Sequence, residues 1–280
     1  MSTVRRTLVV DGAVTSYLEA GAGEPVVLLH GGEFGGSAEI GWEHTIDALA
    51  AHYRVLAPDM LGYGHSAKLV DFTDGRGLRM RHIARWLGLL GVDSAHFVGN
   101  SMGAINLLVD ATSAAPRLAM RSLVAICGGG EIQQNEHMRA LQEYDATVAG
   151  MRAIVTALFH GSSFAADEVL VARRHESSVA PGAWEALAAA RFRRPGLDAP
   201  PPPSADRAYD RITVPALLIE GERDKLLPAG WAGQLADRIP KGRAAVVPEA
   251  GHCPQLERPA LVNALLLEFL GAQTGKEQLP

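Results

Sequence analysis

A serine flanked by glycines at the end of an apolar run is the residue in this chain best placed to do chemistry. Gly99-Asn100-Ser101-Met102-Gly103 follows Ala95-His96-Phe97-Val98 and precedes a run of helical period. The spacing G-x-S-x-G between a strand and a helix forms a sharp turn with the serine at its tip. Small residues are needed on either side, because a Cβ there collides with neighbouring backbone. The helix that starts at the serine turns free N–H groups and its positive end toward the serine oxygen, which favours negative charge developing there.

A serine hydroxyl is a weak nucleophile until a base takes its proton, and the base needs an acid to hold its tautomer. On a strand–turn–helix serine the partners follow in the order acid, then histidine. Past Ala216–Ile219 comes Gly221-Glu222-Arg223-Asp224-Lys225, and past Val246-Val247 comes Ala250-Gly251-His252-Cys253-Pro254. Asp224 and His252 are therefore the expected acid and base, with Glu222 a rival acid. The chain has ten histidines. His30 reads as a brace of its own loop, and the remainder read as surface or packing residues. His30-Gly31-Gly32-Glu33-Phe34-Gly35-Gly36 directly follows Val26-Val27-Leu28-Leu29. Such a glycine-rich loop brings a bare N–H next to a reacting carbonyl, so Gly32 and Met102 are the expected pair of oxyanion donors. A phosphate-binding turn is disfavoured, because the glycine spacing fits neither the P-loop nor the dinucleotide pattern and Glu33 would repel phosphate.

These loops need elements to hold them. Short apolar runs at Val26–Leu29, Arg54–Ala57, Ala95–Val98, Ser122–Ile126, Ala216–Ile219 and Ala244–Val247 read as strands. Segments of helical period lie between them, at Thr45–His52, Gly77–Leu90, Ser101–Ala111 and Pro259–Leu270. Strands alternating with helices of this length predict an α/β fold, a mostly parallel central sheet flanked by helices. The rhythm breaks after Gly128-Gly129-Gly130 and resumes at Ile212. Residues 131–207 are read as a helical cap inserted into a core made of 1–130 and 208–280, with Pro200 to Pro203 as an extended connector.

The 280 residues, 48% of them apolar and 20% charged, with a formal net charge of −5, describe a folded chain with a sizeable core. Mild acidity gives no reason to expect nucleic acid or an anionic membrane as partner. No run of about twenty apolar residues and no signal-peptide core is present, and the two cysteines, Cys127 and Cys253, imply no disulfide framework. A cytoplasmic protein is the resulting expectation, with a homodimer or higher homo-oligomer left open.

Strand–His30-Gly31-Gly32, Asp59-Met60-Leu61-Gly62-Tyr63-Gly64-His65-Ser66, Gly99–Gly103, the Asp224 loop and Gly251-His252 together resemble the α/β-hydrolase superfamily over nearly the whole chain. Within it the chain looks most like the meta-cleavage product hydrolases, which split carbon–carbon bonds in vinylogous 1,5-diketones from aromatic degradation. Asn100 before the nucleophile, the length of the loop from His30 to Ser37, and the segment Leu170–Ser178 followed by Pro181-Gly182 carry that likeness. The resemblance implies a small, carboxylate-bearing substrate, a 2-hydroxy-6-oxo-dienoate, with neither metal nor organic cofactor. It also implies an arginine on the cap segment that grips the carboxylate bidentately, carried over to Arg173 with Arg174 as the adjacent rival. Gly31, Glu33, Asn100 and Cys253 are expected beside the substrate. The chain departs from the family at Cys253, where tryptophan is common, at Glu33, where a small residue is usual, and at Gly41, where asparagine is frequent. An esterase, lactonase or thioesterase with the same three residues is the first rival; a cofactor-free oxygenase or perhydrolase and a non-catalytic ligand receptor on this scaffold are the others.

Overall fold

A computed structural model describes residues 2–191 and 207–274. Eight strands form one sheet: β1 (Val4–Val10), β2 (Ala13–Ala20), β3 (Pro25–Leu29), β4 (Arg54–Pro58), β5 (Ala95–Asn100), β6 (Met120–Ile126), β7 (Ala216–Gly221) and β8 (Gly242–Val247). Their spatial order is β1-β2-β4-β3-β5-β6-β7-β8. β1 pairs antiparallel with β2 and β2 with β4, and every later pair is parallel. The six strands expected from apolar runs are all present, with ends within two residues of the expectation. The β1–β2 hairpin is additional, closed by Asp11 and Gly12, both at positive φ (48° and 81°).

The strands of the sheet centre are apolar because they are covered on both faces. Every residue of β5 and β7 is buried, as are all but the first of β3 and β4. The helices are α1 (Ala38–Trp42), α2 (Ile46–Ala50), α3 (Gly75–Leu89), α4 (Met102–Ala111), α5 (Glu136–Gln142), α6 (Val148–Leu158), α7 (Ser162–Ala166), α8 (Glu168–Ser178), α9 (Ala183–Ala188), α10 (Trp231–Ala236), α11 (Pro254–Glu257) and α12 (Pro259–Thr274). Side-chain caps start several of them: Asp74 accepts from the N–H of Gly77 ahead of α3, and Asp167 from those of Val169 and Leu170 ahead of α8. Among the described residues no helix is long and apolar enough to cross a membrane.

Helices α5–α9 lie between β6 and β7 in the chain, and the described part of 131–207 holds no strand. Pro200 to Pro203 lie outside the described residues. These helices share an apolar cluster of their own, in which Met151, Ile154, Val155, Leu158, Phe159 and Val171 meet Phe34, Leu226, Cys253 and Leu256 from the loops at the strand ends. The sheet presents its carboxyl-end loops to this cluster. β3 runs into His30, β5 into Ser101, β7 into Asp224 and β8 into His252. β3 has β4 on one side and β5 on the other, so the strand order reverses there, where open parallel sheets leave a crevice at their carboxyl ends.

Three histidines are built into this framework as neutral rings. Burial is the main cause that lowers the pKa of His30, His82 and His96 below the ordinary value. His82 Nε2 lies 2.6 Å from the hydroxyl of Thr15, and His96 Nδ1 lies 2.8 Å from that of Ser122. Unfolding frees these rings to take up protons below about pH 6.5, so the unfolded state binds more protons there and stability falls as the pH drops. Urea unfolding is expected to show a midpoint that is flat between pH 7 and 8 and falls steadily from pH 6.5 to 5. Each ring contributes a slope of up to about 1.4 kcal/mol per pH unit. A midpoint that rises on acidification over that range would overturn the assignment.

Candidate active site

Ser101 occupies a backbone conformation that L-residues seldom adopt, with φ 49° and ψ −115°. Its N–H donates to the carbonyl of Ile126 at 2.8 Å, and its own carbonyl accepts from Ile105, so sheet and helix pull the turn tight from either side. The flanking glycines are required by close approach. A Cβ on Gly99 would stand 2.5 Å from the backbone N of Ala104, and one on Gly103 would stand 2.1 Å from the carbonyl oxygen of Leu29.

The tight turn lifts the Ser101 hydroxyl to 2.8 Å from His252 Nε2. His252 Nδ1 lies 2.8 Å from Asp224 Oδ2, and the other carboxylate oxygen accepts from the N–H of Leu226 at 2.8 Å. Ser101, His252 and Asp224 are thus brought together as the sequence predicted, each from the end of a different strand. The rival acid is turned elsewhere: Glu222 accepts from the N–H of Glu249 and pairs with Arg223 at the surface. The His252 backbone is held as well. Its N–H donates to the carbonyl of Leu158 at 2.7 Å, and its carbonyl accepts from Asn100 Nδ2 at 3.1 Å.

The glycine loop is held by two side chains. His30 Nε2 accepts from the N–H of Met60 at 3.0 Å, so the proton of the neutral ring sits on Nδ1, which donates to the carbonyl of Gly31 at 2.6 Å. The Tyr63 hydroxyl donates to the carbonyl of Gly32 at 2.9 Å, and the two rings meet edge to face with centroids 5.0 Å apart. Burial pushes the Tyr63 pKa up to about 12, so it remains a donor at all working pH values. In a trans peptide the C=O and the N–H point in opposite directions, so pinning the Gly31 carbonyl to His30 aims the Gly32 N–H away from that ring. Neither that N–H nor the N–H of Met102 donates a hydrogen bond to a described residue. The two lie close together, since a Cβ on Gly32 would stand 2.8 Å from Met102 Cβ.

The arginine predicted to reach the site is not the one that does. Arg173 is 41% exposed in its side chain and pairs with Glu43 at 2.7 Å. Arg174 is fully buried, and its Nη1 donates to Glu33 Oε1 at 3.2 Å. Its guanidinium carbon sits 5.3 Å from the centre of the Phe159 ring. Nε and Nη2, the edge that suits a carboxylate, are buried without a partner among the described residues. Successive helix residues differ in direction by about 100°, so only one of the pair can face inward. The packing of α8 selects Arg174.

Cys253 is buried, and burial, with Glu33 next in weight, raises its thiol pKa well above the ordinary value. Cys127 is buried at φ 47° behind Asp224, and burial likewise keeps it a thiol. Single ligand atoms of Cys127, Asp224 and His252 lie within 4.8 Å of one another. Asp224 and His252 already use those atoms on each other and the thiol is held protonated, so the cluster serves better as a hydrogen-bonded unit than as a cation site. A Cβ on Gly41 would stand 3.2 Å from that of His30, so a longer side chain there would press on the His30 loop.

A family model described as the alpha/beta hydrolase family matches residues 26–265. The chain is 32% identical, over 95% of its own length and 91% of the other's, to a 2-hydroxy-6-oxo-6-(2'-aminophenyl)hexa-2,4-dienoic acid hydrolase of Metapseudomonas resinovorans. It is 29% identical, over 95% and 94%, to a 2-hydroxymuconate semialdehyde hydrolase of Pseudomonas sp. (strain CF600). Among solved structures, the meta-cleavage product hydrolase from Pseudomonas fluorescens IP01 superposes with a TM-score of 0.83 at 27% identity, covering 95% of this chain and 97% of that one. Strand order, nucleophile turn and these matches agree: the chain belongs to the alpha/beta hydrolase family and, within it, resembles the meta-cleavage product hydrolases.

Proposed function

We propose that the chain hydrolyses a carbon–carbon bond in a 2-hydroxy-6-oxo-dienoate, with Ser101 as nucleophile, His252 as base and Asp224 as the acid that orients it. The observation that carries this reading is the free Nε/Nη2 edge of Arg174, a fully buried side chain whose guanidinium lies over Phe159 of the apolar cluster that the site loops share with the helices between β6 and β7. A guanidinium edge left without acceptors in an apolar surround calls for a planar anion, and the relatives named above act on dienoates that carry one. Helices α5–α9 then form the lid that closes the substrate away from water.

In this reading the substrate enters as the enol and tautomerises, the hydroxyl proton at C2 being replaced by a proton at C5. His252 takes the Ser101 proton as Oγ attacks the C6 carbonyl. The tetrahedral oxyanion rests on the N–H groups of Gly32 and Met102. The C5–C6 bond then breaks, and its electron pair runs through the C3–C4 double bond to the C2 oxygen, which takes the proton held by His252. Water, activated by the neutral His252, attacks the remaining Ser101 ester, releasing a carboxylic acid and restoring the hydroxyl.

Two measurements test this. With a yellow dienoate and p-nitrophenyl acetate as parallel substrates, Ser101→Ala abolishes turnover of both. Arg174→Gln lowers kcat/KM for the dienoate by about 100-fold, a loss of about 2–3 kcal/mol, and lowers ester hydrolysis less than about threefold. Arg173→Ala changes neither. Wild-type protein that hydrolyses only the ester would sink the carbon–carbon reading in favour of an esterase. The second measurement concerns the loop clamp: Tyr63→Phe keeps the ring contact and loses the hydroxyl on Gly32. It is expected to lower kcat for both substrates by about tenfold with KM little changed, because the donor is loosened only where the oxyanion forms. A rise in KM at constant kcat would assign Tyr63 to substrate binding instead.

A further inference from the structure

Asp224 and His252 meet at the tips of two loops that are fastened to each other at their bases and not at their tips. β7 and β8 pair in parallel, and the last backbone bond between the two loops runs from the Arg223 N–H to the Ala250 carbonyl at 2.8 Å. Beyond it, among the described residues, no backbone hydrogen bond joins residues 224–226 to residues 251–253. The Asp224 tip has a hold of its own, since Asn135 Nδ2 donates to the Lys225 carbonyl at 2.7 Å. What the two tips share is the end of α6 and the turn that follows it.

A helix leaves its last carbonyls without intrahelical donors, and its carboxyl end carries partial negative charge. At α6 the two loops supply what is missing. From the Asp224 loop, Lys225 Nζ donates to the carbonyls of Thr156 at 2.7 Å and Phe159 at 2.9 Å. From the His252 loop, the His252 N–H donates to the carbonyl of Leu158 at 2.7 Å. Glu257 closes the grip: Oε2 accepts from the His160 N–H at 2.8 Å, and Oε1 from the Gly251 N–H at 2.7 Å. The approach is close enough that a Cβ on Gly251 would stand 2.7 Å from the Leu158 carbonyl oxygen. Both tips therefore hang on the backbone of residues 156–160.

We propose that the end of α6 is the spacer that sets the Asp224–His252 hydrogen bond, with Lys225 and Glu257 as the positioning residues that seat it. This rests on the reading of Ser101, His252 and Asp224 as nucleophile, base and orienting acid. Lys225 acts through the peptide it shares with Asp224, and Glu257 through Gly251, the neighbour of His252. A bond between side chains on separate loops keeps its geometry only while both loops are fixed. A misplacement of about 1 Å in such a group costs up to about 100-fold in rate.

The test follows inactivation of the purified full chain by a fluorophosphonate, whose saturation separates binding (KI) from reaction at Ser101 (kinact). Glu257→Gln keeps the shape but turns an amide donor toward a backbone N–H. It is expected to lower kinact about tenfold and to change KI by less than about twofold. Lys225→Met keeps the stem, loses the donors and lowers kinact about threefold. The double variant loses less than about twofold beyond Glu257→Gln, because a spacer released on one side no longer fixes the distance. Losses that multiply overturn the proposal, and so does an undiminished kinact in a single variant that unfolds cooperatively. The downfield proton resonance of His252 Nδ1 is expected to be sharp in wild type and broadened by solvent exchange in both single variants. A signal that stays sharp in them reduces Lys225 and Glu257 to supports of the fold. In wild type the amides of Gly251, His252 and His160 are expected to exchange with one shared free energy of opening. Separate openings overturn the proposal whether or not any variant folds. Wild type that the probe leaves unlabelled overturns the reading of Ser101 and the proposal with it, whereas labelling with separate amide openings overturns the proposal alone.

Discussion

The strained turn at Ser101 is the constraint on which the rest of the site depends. A non-glycine residue at φ 49° and ψ −115° persists only where its surroundings over-determine it. Here the hydrogen bond to Ile126 holds it from β6, and the close seating of α4 on β3 and β5 holds it from the other side. Gly128 completes the seat, since a Cβ there would stand 2.5 Å from the Ser101 carbonyl oxygen. Relaxing the turn would move the hydroxyl away from His252 and the Met102 N–H away from Gly32 together. The Ser101 hydroxyl and the Met102 N–H are set by one piece of backbone, so they cannot drift independently.

Around that turn the site is tied to the helices above it by backbone and carboxylate contacts. The His252 N–H reaches the carbonyl of Leu158 at the end of α6, and Glu257 accepts from the N–H groups of both Gly251 and His160. The His252 imidazole is therefore positioned partly by the segment that lies between β6 and β7 in the chain. A shift of α6 would be felt at the imidazole directly. Phe159 packs in the same apolar cluster as Leu158 and Cys253, and Arg174 lies over its ring, so the arginine and the histidine loop are held by one set of neighbours.

The strands of the sheet centre were legible because burial on both faces demands unbroken apolar runs. The N-terminal hairpin was not, for a reason visible in its residues. β1 is an edge strand with five of its seven residues exposed, among them Arg5 and Arg6, charges of the kind that guard an unpaired edge. β2 buries Thr15 and Ser16 rather than aliphatic residues, because their hydroxyls meet His82 and Arg5. Polar side chains satisfied by distant partners erase the alternation by which a half-buried strand is read.

By itself the sequence determined the features that depend on local spacing and chain order. These are the glycines around Ser101, the loop after β3, the chain order of Asp224 and His252, and the strands that bring them to one edge. Each follows from what a few consecutive residues can do sterically. What it left open was direction. Glu222 and Asp224 lie two residues apart and Arg173 and Arg174 are adjacent, so composition treats each pair alike. Only the fold decides between them, since β7 and its turn aim Asp224 at His252 and the packing of α8 turns Arg174 inward while Arg173 meets Glu43. The partner of Glu33 lies 141 positions along the chain, a contact that no local pattern encodes.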